Sequence, residues 1–274
     1  YRAGDGMKVY PHARVWAPGS AFAVDVLDMS LFCRSLVLFA FFACSSTPQP
    51  AAQGPTLRFV TTAAVPNFMD VPFPSDAYLS GGHVGTIPGL DAVITQNATM
   101  LQHAISVHDG FGRSTFSEFY VDDPSAPAND DGSVAPAQLD ASTLPQTEDA
   151  CTTDGSSVFL VDLATKTRLP CRARFHLSPT GHARPTLAIA PARGLVLDPG
   201  KQYAAVVTSR VKDKNGKNIA ASGDFAKIAS GDRSAAVGAL YGGAYDTVTS
   251  ALGGALGADQ IVGLAVFTTN KMEE

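Results

Sequence analysis

The run from Gly194 to Phe225 constrains the fold more than any other part of this chain. Leu195 and Leu197 alternate ahead of Pro199-Gly200, where proline presets φ and glycine admits the left-handed conformation of a tight turn. Tyr203 then opens a segment of small and β-branched residues, with Tyr203, Ala205, Val207 and Val211 on one parity, the two-residue repeat of a strand. Asp213 to Gly216 closes that strand, and Asn215-Gly216 is the strongest short-range hairpin signal. The stretch predicts a β-sandwich. It holds no nucleophile, metal cluster or phosphate loop.

Composition agrees with that reading. Of 274 residues, 45% are hydrophobic and 16% charged, so the chain is globular with a sizeable core. Its 25 glycines and 18 prolines favour a turn-rich β fold over a helical bundle. The formal charge of −5 argues against nucleic acid as a partner, because phosphate binding needs a basic stripe and no Lys/Arg cluster occurs. An aromatic hydroxyl placed like that of Tyr203 can bond back to the turn backbone, as in the tyrosine corner of immunoglobulin-like domains. The expected fold is therefore a mainly antiparallel, immunoglobulin-like β-sandwich with one or two accessory helices.

Residues 1–28 show no sustained periodicity and read as an upstream extension, with Met29 as the expected start. From there Arg34 precedes the uninterrupted apolar run Leu36 to Ala43. That run is shorter than the roughly 20 residues that span a bilayer, but it suits the core of a secretory signal over 29–43. Ala43-Cys44 resembles the lipobox of bacterial lipoproteins, which implies lipidation at Cys44 and an exported protein anchored to the outer membrane or cell surface; an ordinary cleaved signal with a chance cysteine is the alternative. Residues 44–56 are rich in Ser, Pro, Ala and Gln, the composition of a flexible tether. Beyond the signal and the lipobox only Cys151 and Cys171 remain. In an oxidising compartment they are expected to form a disulfide, worth about 3 kcal/mol in the chain-entropy model, with two free buried thiols as the alternative.

The folded domain is expected over residues 57–269. Leu57 to Thr62 predicts a first strand, and three prolines between Val65 and Leu79 predict an ordered extended loop that packs Phe68, Phe73 and Tyr78. Apolar spacing from Asp91 to His108 predicts one helix, capped by Asp91 and ended near Gly110. Strands are predicted over Thr115 to Val121, Val158 to Leu163, Arg168 to His176, Thr186 to Pro191 and Ile261 to Thr269, with a helix between Arg233 and Leu256.

Several of these stretches, in this order, resemble the N-terminal domain of bacterial virulence-factor extracellular lipases. They are Val71-Pro-Phe-Pro-Ser-Asp-Ala-Tyr-Leu79, His108-Asp-Gly-Phe-Gly112, Leu139-Asp-Ala-Ser-Thr-Leu144, Leu197-Asp-Pro-Gly-Lys-Gln-Tyr203, Val211-Lys-Asp-Lys-Asn-Gly216 and Val266-Phe-Thr-Thr269. The resemblance implies a non-catalytic module that supports an α/β-hydrolase domain following in cis, with residues 270–274 as its beginning. A surface adhesion or spacer lipoprotein is the alternative.

No Gly-x-Ser-x-Gly elbow occurs; Gly155-Ser156-Ser157-Val158-Phe159 comes nearest, with Phe159 in place of the last glycine. His103, His108, His176 and His182 lie beside no such elbow, so no catalytic residue is assigned. His103 and His108 are five apart, whereas zinc ligands on a helix stand at i, i+4. Asp122, Asp123, Asp130 and Asp131 are candidates for an irregular calcium site; EF-hand spacing fails, and a solvated loop is the default. No cofactor is expected.

Overall fold

A computed structural model describes residues 54–94, 96–123, 137–177, 184–257 and 259–271. In chain order they form β1 (Thr56–Leu57), β2 (Leu79–Ser80), β3 (His83–Val84), α1 (Leu90–Val93), α2 (Ala98–Ser106) and β4 (Ser117–Asp122). Then come β5 (Val158–Asp162), β6 (Thr167–Leu169), β7 (Cys171–His176), β8 (Thr186–Pro191) and β9 (Gln202–Thr208). β10 (Ala220–Ala221), α3 (Gly223–Ala229), α4 (Gly238–Leu252) and β11 (Ile261–Thr268) complete the set.

The strands make two larger sheets, ordered β10-β1-β4-β8-β7 and β11-β9-β5-β6, plus the β2-β3 hairpin. Pairing is antiparallel except between β1 and β10. The fold is thus mainly β with antiparallel sheets and accessory helices. The two sheets meet at Gly263 of β11, where an added Cβ would stand 2.3 Å from Leu57 of β1 and 3.3 Å from Phe119 of β4. α3 and α4 lie beside β11, and Phe225 and Tyr241 from these helices pack edge to face around Phe59.

β5, β9 and β11 are buried on both parities almost throughout, so their apolar runs are continuous where the sequence suggested a single buried parity in β9. β7 keeps a strict alternation, with Arg172, Arg174 and His176 exposed and Ala173 and Phe175 half-buried. The corner forms as expected: the Asp198 N–H donates to the Tyr203 hydroxyl at 3.0 Å, and Gly200 takes φ 64°. The turn at Asp213 to Gly216 also forms, closed by Gly216 N to Asp213 O at 3.0 Å, but it leads only to the isolated bridge Lys212–Asn218.

Three expectations need correction. The strand predicted over Arg168 to His176 is two strands in different sheets, β6 and β7, separated at Pro170. Proline supplies no N–H to a ladder, and its carbonyl accepts from Ala192 N at 3.0 Å as the chain crosses between sheets. The helix predicted over Asp91 to His108 is broken into α1 and α2, because Asn97 adopts φ 63° and heads the second helix; Asp91 lies in the first turn of α1 rather than capping it. The first strand is only Thr56–Leu57, since Val60 N already turns to Asp70 O at 2.8 Å. Cys151 and Cys171 are bonded, joining a 3-10 turn at Glu148–Thr152 to the start of β7.

Candidate functional site

A convergence of polar groups surrounds the end of β11, at Thr268 to Lys271. Three loops reach it. The proline-rich loop before β2 brings Asp76, whose 3-10 turn is capped by the Ser75 hydroxyl accepting from Ala77 N at 3.1 Å. One Asp76 carboxylate oxygen accepts from Thr268 N at 2.6 Å; the other accepts from Thr268 Oγ1 at 2.7 Å and Gln202 Nε2 at 2.8 Å. The loop after α2 brings His108 to Phe111. Phe111 N donates to Thr268 O and Asn270 N to Phe111 O, both at 2.8 Å. The Asn270 amide lies 3.1 Å from His108 Nδ1, and Asp109 accepts from Lys271 N at 2.9 Å. The Pro199-Gly200 corner adds Thr269 Oγ1 donating to Asp198 O at 2.6 Å and Thr269 N donating to Lys201 O at 2.9 Å.

Gly110 explains how two backbones come so close. A Cβ there would stand 2.6 Å from the carbonyl carbon and oxygen of Thr269, so only glycine fits without displacement. Phe111 stacks edge to face on Phe73, which does the same with Phe68. The aromatic set Phe68, Phe73 and Tyr78 packs against the core as expected, Tyr78 being fully buried.

The electrostatics are those of a latch. Burial pushes the Asp76 carboxyl above its ordinary value, with the bonds from Gln202 and Thr268 pulling the other way. Burial likewise raises the phenols of Tyr78 and Tyr241, the latter sharing a 2.8 Å hydrogen bond with Ser75. Thr268 N, Thr268 Oγ1 and Gln202 Nε2 all donate to the Asp76 carboxylate, so the group holds the strand end.

The near-elbow residues have other partners. Ser156 Oγ donates to Val158 O at 2.6 Å, and the Ser157 carbonyl accepts from both Thr208 N and Thr208 Oγ1. Ser157 is buried at the start of β5. Among the described residues no histidine ring hydrogen-bonds a serine or threonine hydroxyl, and no three His, Cys, Asp or Glu side chains are grouped to hold a metal ion. Asp122 is engaged by two guanidiniums, Arg58 at 3.5 Å and Arg184. Asp123 closes the described part of that loop; Asp130 and Asp131 lie outside the described residues, as do Cys44 and His182. Among the described residues no helix is long and apolar enough to cross a membrane.

Sequence reasoning missed Asp76 as an organising residue and missed α3 altogether. The signal for α3 was present in the Ser222-Gly-Asp-Phe225 run: Ser222 caps the helix, accepting from Phe225 N at 3.3 Å. Asp76 carried no local signal, because its partners lie 126 and 192 residues away. Comparison with known protein families, characterised proteins and solved structures returns no match.

Proposed function

We propose that this chain is a non-catalytic, immunoglobulin-like domain of an exported lipase or esterase, anchored through Cys44, which supports and orients a hydrolase domain in cis. The observation that carries the reading is the convergence at Thr268 to Lys271. Val71–Leu79, His108–Gly112, Leu197–Tyr203 and Val266–Thr269, four of the stretches behind the resemblance, meet there and grip one strand end. Short motifs scattered over two hundred positions then have one shared physical task, fixing the direction in which the chain leaves the sheet. A module that orients a following domain needs such a fixed exit. The Cys151–Cys171 bond supports the exported setting.

Two measurements test this. Assayed on a short-chain p-nitrophenyl ester, this chain is expected to be inert, while a longer product of the same reading frame hydrolyses it. Hydrolysis by the present chain, or a downstream frame without a Gly-x-Ser-x-Gly elbow, removes the proposal. The second outcome favours the other reading, a surface adhesion or spacer lipoprotein, which the exposed basic row on β7 also suits.

A further inference from the structure

Outside the strand-end clamp, the face formed by β4, β8 and β7 carries a trough of about 240 Å³. Its floor is the outward parity of β8, the small side chains of Thr186, Ala188 and Ala190. Register places Arg172 beside Ala190, Arg174 beside Ala188 and His176 beside Thr186, forming one wall. The opposite wall is Phe116 and Glu118, with Glu118 beside Ala188. Neighbouring strands lie about 4.8 Å apart, so the walls are rooted about 10 Å from each other, and the floor runs about 13 Å along β8. The slot is long, narrow and mostly apolar.

Three observations specify an occupant. The side chains of Arg172 and Arg174 are exposed and make no hydrogen bond or ion pair with the described residues, and they stand on one face of an edge strand. Against the single carboxylate of Glu118 they leave the walls net positive, which matches one negative charge better than two. Thr186 is fully buried in the lining, and its Oγ1 has no hydrogen-bond partner. A buried hydroxyl without a partner is costly, and a ligand oxygen would satisfy it. Phe116 is half exposed beyond the floor, offering apolar contact at the end away from Thr186.

We propose that this trough binds an unbranched aliphatic monocarboxylate. Its carboxylate accepts from the Arg174 guanidinium and the Thr186 hydroxyl, and its chain lies along Ala188 and Ala190 toward Phe116. The Arg172 stem flanks the chain while its guanidinium stays in water.

The test is calorimetric titration of the full chain with decanoate below its micelle-forming concentration, with decylammonium as the charge-reversed control. Saturable decanoate binding at one site is expected, and decylammonium is expected to lack it. Arg174→Ala weakens that binding by about tenfold, the loss expected for one charge-assisted hydrogen bond. Thr186→Val weakens it as well, yet leaves the unfolding midpoint equal or higher, because it removes an unsatisfied buried hydroxyl. A merely structural Thr186 would not produce that split. Equal binding of the two amphiphiles, non-saturating uptake, or wild-type affinity in both variants overturns the assignment.

Discussion

Asp76 accepts two hydrogen bonds from one residue, Thr268, whose backbone N–H stands at 2.6 Å and hydroxyl at 2.7 Å, across 192 positions of sequence. One short turn thereby fixes the end of the last strand. The carboxylate is largely desolvated for this role, and burial outweighs its donors in raising its pKa. The folded state therefore holds the Asp76 proton to higher pH than the unfolded chain does. The resulting contribution to stability is fully present below the unfolded value and is lost as pH rises through the folded one. Urea unfolding of wild type and Asp76→Asn across pH 4 to 7 should show the wild type losing stability relative to the variant as pH rises. At every pH the variant is expected to be weaker, by about 1–3 kcal/mol, because one acceptor oxygen is replaced by a donor facing Gln202. Parallel pH profiles would falsify the account.

Gly110 is predicted to tolerate no side chain. In Gly110→Ala the new methyl meets the Thr269 carbonyl, and the expected loss is about 1–3 kcal/mol of overpacking strain. The urea midpoint of this variant is the measurement, and a value within error of wild type would contradict the close approach.

Arg210 gathers five partners: the carbonyls of Asp154, Ser156, Ala255 and Leu256, and the carboxylate of Asp259 at 2.7 Å. It ties the turn after α4 to the loop before β5. Arg210→Ala is expected to cost about 3 kcal/mol, chiefly through carbonyls left unpaired. Arg210→Lys should recover only part of that, since an ammonium cannot reproduce the planar fork. Thermal melts of the two variants decide; full rescue by lysine would show that charge alone matters.

The Cys151–Cys171 bond spans 20 positions, and its removal in a Cys151→Ala/Cys171→Ala double variant is expected to cost about 3 kcal/mol. Reductant should lower the wild-type midpoint and leave the double variant where it is. An unchanged wild-type midpoint, with reduction verified by thiol labelling, counts against the staple.

Much of the sheet content was legible because its signals are local. β8 and β11 stand close to where their apolar runs placed them, and the Tyr203 corner closes as its turn chemistry required. What was not legible depends on distant partners. The helix expected between Arg233 and Leu256 forms as α4, but the reason for its glycines at 238 and 242 lay out of view: Arg233 packs where their side chains would be. Nothing local told β6 and β7 apart except Pro170, and only the sheets themselves assign each strand its neighbours. The clamp at Thr268 to Lys271 and the trough on β8 share that limit: each is assembled from segments that no short window contains.

β11 occupies the outer position of its sheet, and its sequence is Ile-Val-Gly-Leu-Ala-Val-Phe-Thr, without a charge or a proline. Left bare, such a border would recruit further copies of itself into ordered aggregates. α3 and α4 lie against it, so the helical excursion between β10 and β11 doubles as a guard rail. Loosening residues 223–252 would bare that border and at the same time unseat Phe225, Tyr241 and Val248 from the core they help to fill.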